Sequence, residues 1–219
     1  MKEFFAYESK FIHLLMKIAD MAIMNMLYIL CCIPVFTIGA AQAGLYSGIR
    51  QLMNKEDDRS CVRAFFRGFK TGFQQVSLVY LIFLAAIGLL CVLLLWLQFW
   101  SYAGANSAPV WMCVAAMGLL ALLSAPIGPF HASFSCTTRQ LICNVYCVAM
   151  AHPVRTIVCA VLIWMPVVHL LVDIYGFLEL TVIWVTLYYA MAFLLIHLLM
   201  RKPMEEIKEA FLVSQNEGQ

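Results

Sequence analysis

The stretch VSLVYLIFLAAIGLLCVLLLWLQFW (76–100) decides the fold, because its 25 residues include no charged side chain. A hydrocarbon core about 30 Å thick is crossed by roughly 20 apolar residues in an α-helix. The rest of the chain agrees, since 64% of its 219 residues are hydrophobic and its mean hydropathy is +0.88. This composition excludes an ordinary soluble domain, in which about half of the residues are apolar. We predict an all-α fold, a polytopic bundle of transmembrane helices.

The positive charges divide the chain into membrane and cytoplasmic parts. All fourteen Lys and Arg residues fall in the N-terminal tail, in residues 50–75, in residues 134–156 and in the C-terminal tail. Basic loops remain on the cytoplasmic side of a membrane, so both termini are predicted to be cytoplasmic. The lipid bilayer is the partner that this pattern implies. Nothing in the pattern indicates nucleic acid.

Between the basic segments we predict about six spans in a single integral membrane domain, 1–219. The predicted spans are 18–34, 37–52, 76–100, 110–131, 157–173 and 178–200. The first pair of spans is ambiguous, because the 29 uncharged residues 21–49 are too many for one span and too few for two spans and a turn. Basic residues on both flanks favour a chain that leaves and returns on one side. Two spans, or one span plus a re-entrant segment, remain open.

Small residues follow the break between these first two helices. Pro34 is poorly tolerated inside a helix, so we expect a hinge between Pro34 and Gly39. Gly39, Gly44 and Gly48 let neighbouring backbones approach closely. We predict that these four positions serve as hinge and packing residues.

Residues 59–75 form an amphipathic pattern at helical spacing. Phe65, Phe69 and Phe73 recur every four residues, while Arg63 and Arg67 lie on a separate stripe. A basic, phenylalanine-rich helix is typical of the inner membrane surface. We predict an interfacial or docking helix whose contact residues are Arg63, Phe65, Phe66, Arg67, Phe69 and Phe73.

A possible intramembrane polar site comprises Asp20, Asn25, Gln42, His169 and Asp173. Ionisable and polar residues within membrane helices often mark functional sites. The simpler alternatives are that Asp20 pairs with a lysine at the headgroups and that Asp173 is a solvated loop end. His169 and Asp173 are one helical turn apart, but no third ligand is near them in sequence, so no metal site is predicted.

Catalytic and cofactor motifs are missing from the sequence. None of the strings G-x-x-x-x-G-K-[ST], G-x-S-x-G or H-E-x-x-H is present. We therefore predict no catalytic residue, no cofactor and no enzymatic activity. The nine cysteines are scattered through spans and cytoplasmic segments, where small, buried, reduced thiols are expected.

Several stretches resemble the YesL-like family of bacterial integral membrane proteins, a domain of unknown function. The resemblance is strongest over 20–80, and AHPVRT (151–156) is similar to the second cytoplasmic segment of that family. Within 20–80 it is carried by Asn25, LCCIPVFTIGA (30–40), LY (45–46) and FFRGFKTGFQQ (65–75).

The resemblance implies a multi-pass protein of the bacterial plasma membrane, often encoded beside genes for carbohydrate ABC transport. We therefore predict a non-enzymatic accessory or regulatory component of carbohydrate ABC transport. Its partners would be an ABC permease, a solute-binding protein or a second copy of the chain. Two alternatives remain: a small autonomous transporter, with a polar cavity at mid-membrane near Asn25, Gln42 and a broken helix, and, more weakly, an intramembrane enzyme.

Overall fold

The computed structural model describes residues 2–53, 61–101, 108–134 and 137–216. Every regular element in these ranges is helical, which confirms the predicted all-α fold. In chain order the elements are α1 (Lys2–Cys32), a 3₁₀ turn (Val35–Thr37), α2 (Ile38–Met53), α3 (Cys61–Gly72), α4 (Gln75–Ser101), α5 (Ala108–Ser124), α6 (Ile127–Ser133), α7 (Thr138–Ala151), α8 (Pro153–Val172), α9 (Ile174–Glu179), α10 (Thr181–Ile183), a π segment (Trp184–Tyr188) and α11 (Tyr189–Asn216).

Five helical segments of the described chain are long and apolar enough to cross a membrane, so the chain is a membrane protein. They are Leu15–Cys32, Gln75–Leu97, Pro109–Ser133, Pro153–Leu170 and Thr181–Glu206. The predicted span 37–52 corresponds to α2, whose 16 residues fall short of a full crossing. The described residues thus contain five such segments where the sequence predicts about six spans.

Helix α2 lies at the centre of the bundle, and ten of its 16 residues are buried. It packs against α3 through small residues on both helices. A methyl group added at Gly44 would lie 2.9 Å from the Phe65 carbonyl oxygen. One added at Gly68 would lie 2.7 Å from the Ser47 Cβ. Glycine is required at these positions because the two backbones leave no room for a side chain.

The turn between α1 and α2 lies close to the start of α4. A Cβ at Gly39 would lie 2.7 Å from the Val76 carbonyl oxygen and 2.8 Å from the Tyr80 Cβ. The far end of α4 is Ser101, about 30 Å beyond Tyr80 at 1.5 Å per residue. The tip of the α1–α2 hairpin therefore lies on the side of the bundle where α4 begins. Two full spans would place the tip near the other end of α4, so this position favours the re-entrant alternative.

Thr37 stabilises the broken backbone at the tip of this hairpin. Its hydroxyl lies 2.5 Å from the Cys31 carbonyl oxygen and 2.6 Å from that of Pro34, and donates its proton to this pair. Carbonyls at a helix end need such partners at membrane depth, where water does not satisfy them. The hinge predicted at Pro34–Gly39 is thus a capped break between two helices.

Candidate functional site: an aromatic cavity at the broken helix

A cavity of about 410 Å³ lies beside the tip of the hairpin, among α1, α2, α4, α8, the π segment and α11. Its wall is mostly aromatic and apolar, with one amide side chain. The principal lining residues are Tyr28, Gln42, Tyr80, Trp164, Trp184 and Tyr189. An apolar pocket with a few placed polar groups is the usual form of a small-molecule site.

Gln42 supplies the amide of this cavity from the first turns of α2. Its side chain is only 1% exposed, and its Nε2 donates a hydrogen bond to the Tyr80 hydroxyl oxygen at 2.8 Å. The Gln42 Oε1 is buried and has no hydrogen-bond partner among the described residues. A buried acceptor without a donor costs about 1–3 kcal/mol. The position therefore suits a ligand that brings an O–H or N–H group.

Asn25 lies behind the cavity wall and holds the π segment in place. Its Nδ2 donates to the carbonyl oxygens of Trp184, at 3.2 Å, and Val185, at 2.5 Å. Its Oδ1 accepts a hydrogen bond from the Ala190 amide at 3.0 Å. A π segment disturbs the helical hydrogen-bond ladder, and it is frequent at functional sites. Asn25, which is fully buried, satisfies the backbone groups of the segment that presents Trp184 and Val185 to the cavity.

Ring contacts connect the aromatic side chains of the wall with one another and with Tyr188 behind it. The rings of Tyr28 and Tyr189 are 4.8 Å apart, and those of Trp184 and Tyr188 are 4.3 Å apart at an angle of 72°. The Tyr188 hydroxyl also donates to the Leu162 carbonyl oxygen at 2.8 Å. Tilted and edge-to-face pairs of this kind are favourable. The contacts connect α1 and α8 to the last span around the cavity.

The predicted polar residues are placed at three different locations. Gln42 lines the cavity and Asn25 supports it. Asp20 is half-buried on α1 near Cys61. Burial, followed by the Asp20 carboxylate, raises the pKa of the Cys61 thiol.

At the opposite end of the bundle, Asp173 accepts a hydrogen bond from the Gly176 amide at 3.1 Å and caps α9. The ring of His169 lies 5.8 Å from the indole of Trp184. The carboxylates therefore lie outside the cavity, and the acid of the His169–Asp173 pair is used as a helix cap.

The predicted hinge and packing residues all lie in the hairpin. Pro34 precedes the 3₁₀ turn, and Gly39 contacts α4. Gly44 packs on α3, and a Cβ at Gly48 would meet the Met24 side chain of α1. The small-residue face of α2 is therefore occupied by helices of this chain.

The predicted docking helix α3 divides into a buried and an exposed face. Phe65 is fully buried and Phe69 is half-buried, and their rings stack with centroids 6.4 Å apart. The exposed members of the predicted set are Arg63, Phe66, Arg67 and Phe73.

The tyrosines of the cavity are functional candidates that sequence reasoning missed. Tyr28, Tyr80 and Tyr189 all lie within predicted spans. Tyrosine is enriched at the two membrane interfaces, so a tyrosine near the middle of a predicted span, such as Tyr189, is a usable signal. A buried tyrosine hydroxyl usually has a hydrogen-bond partner, which points to polar neighbours such as Gln42.

Metal-ligating side chains do not cluster in the described part of the chain: no group of three or more His, Cys, Asp or Glu is found there. The eight cysteines within the described ranges are free thiols. Cys136 lies outside those ranges. One of the eight, Cys32, lines the cavity.

Comparison with known proteins gives one match. Residues 21–94 match the model of a family described as a protein of unknown function, DUF624. No curated protein and no solved structure is significantly similar to the chain. The matched region runs from α1 into α4, so it includes Asn25, Tyr28, Gln42 and Tyr80. One half of the cavity therefore comes from the part that resembles the family, and the other half from α8 and the last span.

Proposed function

We propose that the protein binds a small, uncharged molecule in the aromatic cavity and carries it through the membrane on its own. The buried Gln42 Oε1, which has no hydrogen-bond partner in the described chain, is the observation that carries the proposal. A ligand with an O–H or N–H group satisfies this acceptor. The aromatic faces around it match the apolar part of such a molecule.

The uncharged lining of the described cavity supports an uncharged ligand. None of the described side chains around the cavity is Asp, Glu, Lys, Arg or His. An ion in this position would lack a countercharge, and burial of an unpaired charge is costly. Tyrosine hydroxyls and one amide suit neutral hydroxyl groups. The proposed role is therefore binding and transport rather than catalysis.

Two irregular backbone segments beside the cavity support a role as a carrier. Cys32 and Ile38, which flank the break between α1 and α2, line the cavity, as do Trp184 and Val185 of the π segment. Transporters commonly build their substrate sites from interrupted helices near the midplane. Such segments change conformation more readily than continuous helices.

An accessory role in carbohydrate ABC transport, in a bacterial plasma membrane, is the second candidate. Its support is the resemblance to the YesL-like family and the exposed face of α3, which carries Arg63, Phe66 and Arg67, with the exposed Phe73 just past the end of the helix. Phe66 is 49% exposed and Phe73 is 42% exposed. A permease would dock on this face, because the glycine face of α2 already packs inside the chain.

Two measurements on the same tagged protein separate these candidates. The first is counterflow of labelled neutral glucosides, both with and without an alkyl chain, into proteoliposomes, with the Gln42→Leu/Tyr80→Phe variant as the binding-defective control. Flux that the double variant abolishes supports the carrier. The second is mass spectrometry of the protein purified from native membranes. Stoichiometric recovery of an ABC permease, without flux by the isolated chain, supports the accessory role and contradicts the carrier.

A further inference from the structure

A second, larger space lies on the lipid-facing side of the cavity. It is a groove of about 970 Å³ between α5 and α8, and its lining is apolar except at one end, where His169 and Asp173 lie. Leu119, Val161 and Val168 line it and are each more than half exposed. Since both helices are membrane-spanning candidates, this exposed surface faces lipid. Along α8 the groove extends from Ile157 to His169, about 18 Å at 1.5 Å per residue.

Trp164 lies in the wall of both spaces, because it lines the groove and the aromatic cavity. Its Nε1 donates to the Ala121 carbonyl oxygen and to the Ser124 Oγ, each at 3.2 Å. Both acceptors belong to α5, so the indole of α8 bridges the two helices. Ser124 is fully buried, and its own hydroxyl donates to the Ala121 carbonyl at 2.8 Å.

The groove is loosely packed on its outer side. A Cβ added at Gly118, which lines the groove on α5, would have no atom within 4 Å. The groove is thus open on its α5 side at Gly118, one turn before the Ala121 carbonyl that Trp164 contacts. A change of rotamer of this single side chain would break two long hydrogen bonds and join the groove to the cavity. Exposed side chains change rotamer rapidly, within picoseconds to nanoseconds, and a partly buried indole does so more slowly.

We infer that Trp164 is a lateral gate, and that the ligand is a neutral amphiphile that enters from the bilayer. This inference rests on the binding cavity proposed above. The head of the ligand carries an O–H or N–H group that donates to the Gln42 Oε1. Its single alkyl chain lies in the groove between α5 and α8. The two spaces meet at Trp164, and the apolar lining of the groove beside it matches an alkyl chain whose head group lies in the cavity.

The test uses photolabelling in phosphatidylcholine nanodiscs. The probe is a dodecyl glucoside with a diazirine next to its head group. A methyl glucoside with the same diazirine lacks the chain, and a dodecanoate with the same diazirine replaces the neutral head by a carboxylate. Labelled peptides are quantified by mass spectrometry. We expect the dodecyl glucoside to label the cavity peptides around Tyr80 and Trp184 several-fold more than either comparison probe.

Variants of Trp164 distinguish entry of the probe into the cavity from its binding there. Trp164→Phe removes both hydrogen bonds and keeps an aromatic ring, and Trp164→Ala opens the wall. We expect both to increase the initial rate of cavity labelling several-fold. Trp111→Phe is the matched control, because Trp111 is 69% exposed on α5 and lines neither space. Trp164→Phe preserves the test if Trp164→Ala does not fold.

Each outcome bears on one claim. If the chainless probe labels the cavity as well as the dodecyl probe, and the Trp164 variants change nothing, the lateral gate is wrong while the binding cavity stands. If the dodecanoate labels the cavity equally, the neutral head group is wrong. If no probe labels the cavity in any variant, the proposed function itself is contradicted.

Discussion

The side chain of Asn25 accepts a hydrogen bond from the amide of Ala190 at 3.0 Å, across 165 positions of the chain. The same side chain donates to the carbonyls of Trp184 and Val185. One amide thus holds a helix defect in the last span against the first helix of the chain. The orientation of Trp184 in the cavity depends on this contact.

Replacing Asn25 by leucine should destabilise the protein. The change removes three hydrogen bonds and leaves buried backbone groups unsatisfied, at a cost of about 1–3 kcal/mol. We expect a clearly lower Tm in detergent, measured by thermal unfolding with a thiol-reactive dye. Met26→Leu, at an exposed neighbouring position, is the control. Equal Tm values for the two variants would show that Asn25 is not needed to hold the π segment.

Replacing glycine by alanine should destabilise the protein at a packed position and not at an open one. At Gly68 a Cβ would lie 2.9 Å from the Ala43 carbonyl oxygen, so Gly68→Ala forces α2 and α3 apart. At Gly88 nothing lies within 4 Å, and Gly→Ala in a helix gains roughly 0.5–1 kcal/mol. We expect poor folding of Gly68→Ala and an unchanged or higher Tm for Gly88→Ala. Similar yields in size-exclusion chromatography would contradict the close packing of α2 on α3.

The effects of substitutions at Gln42 and at Tyr80 on the free energy of unfolding should be strongly coupled. Tyr80→Phe leaves a second polar atom of Gln42 without a partner, at a cost of about 1–3 kcal/mol. The double variant Gln42→Leu/Tyr80→Phe removes both partners, so its loss of stability should be smaller than the sum of the two single losses. A double-mutant cycle of unfolding free energies measures the difference. Additive losses would mean that the 2.8 Å contact contributes no coupling.

Cys61 should alkylate slowly at neutral pH. Its raised pKa means that less of the thiol is ionised, and the thiolate is the reactive form. Its rate with iodoacetamide should therefore rise with pH through an inflection above the usual thiol value. Asp20→Asn removes the nearby negative charge, which lowers the pKa and moves the inflection to lower pH. An inflection that Asp20→Asn leaves unmoved would show that the carboxylate does not act on the thiol.

The tip of the hairpin should be inaccessible from outside the cell. In a cysteine-free background, Phe36→Cys places a thiol at the turn, and Tyr175→Cys places one between α8 and the last span, where Tyr175 is 78% exposed. We expect a membrane-impermeant maleimide added to intact cells to label Tyr175→Cys but not Phe36→Cys. Equal labelling would establish two full spans and rule out re-entry.

Much of the fold is predictable because spans are a local property. The predicted span 76–100 lies within α4, Gln75–Ser101. Pro126 separates α5 from α6 within the predicted span 110–131. Hydropathy and proline report on such features without knowledge of the neighbours. The depth of α2 is different, because it depends on which part of α4 Gly39 contacts.

The candidate site is only partly predictable for the same reason. Gln42 and Asn25 are conspicuous as polar residues in apolar helices. Tyr189 and Trp164 are not, since aromatic residues are common in spans and only the tertiary packing turns them toward one cavity. The π segment has no local sequence signal that we recognise. Its hydrogen bonds come from a residue at the other end of the chain.

The separation between Asn25 and its partners also has a consequence for biosynthesis. At 5–20 residues per second, the ribosome needs on the order of 10–30 s to make the 165 residues between Asn25 and Ala190. During that interval the first hairpin is already synthesised, but the backbone that Asn25 binds does not yet exist. The N-terminal helix must therefore acquire its final position late, after the last span has entered the membrane.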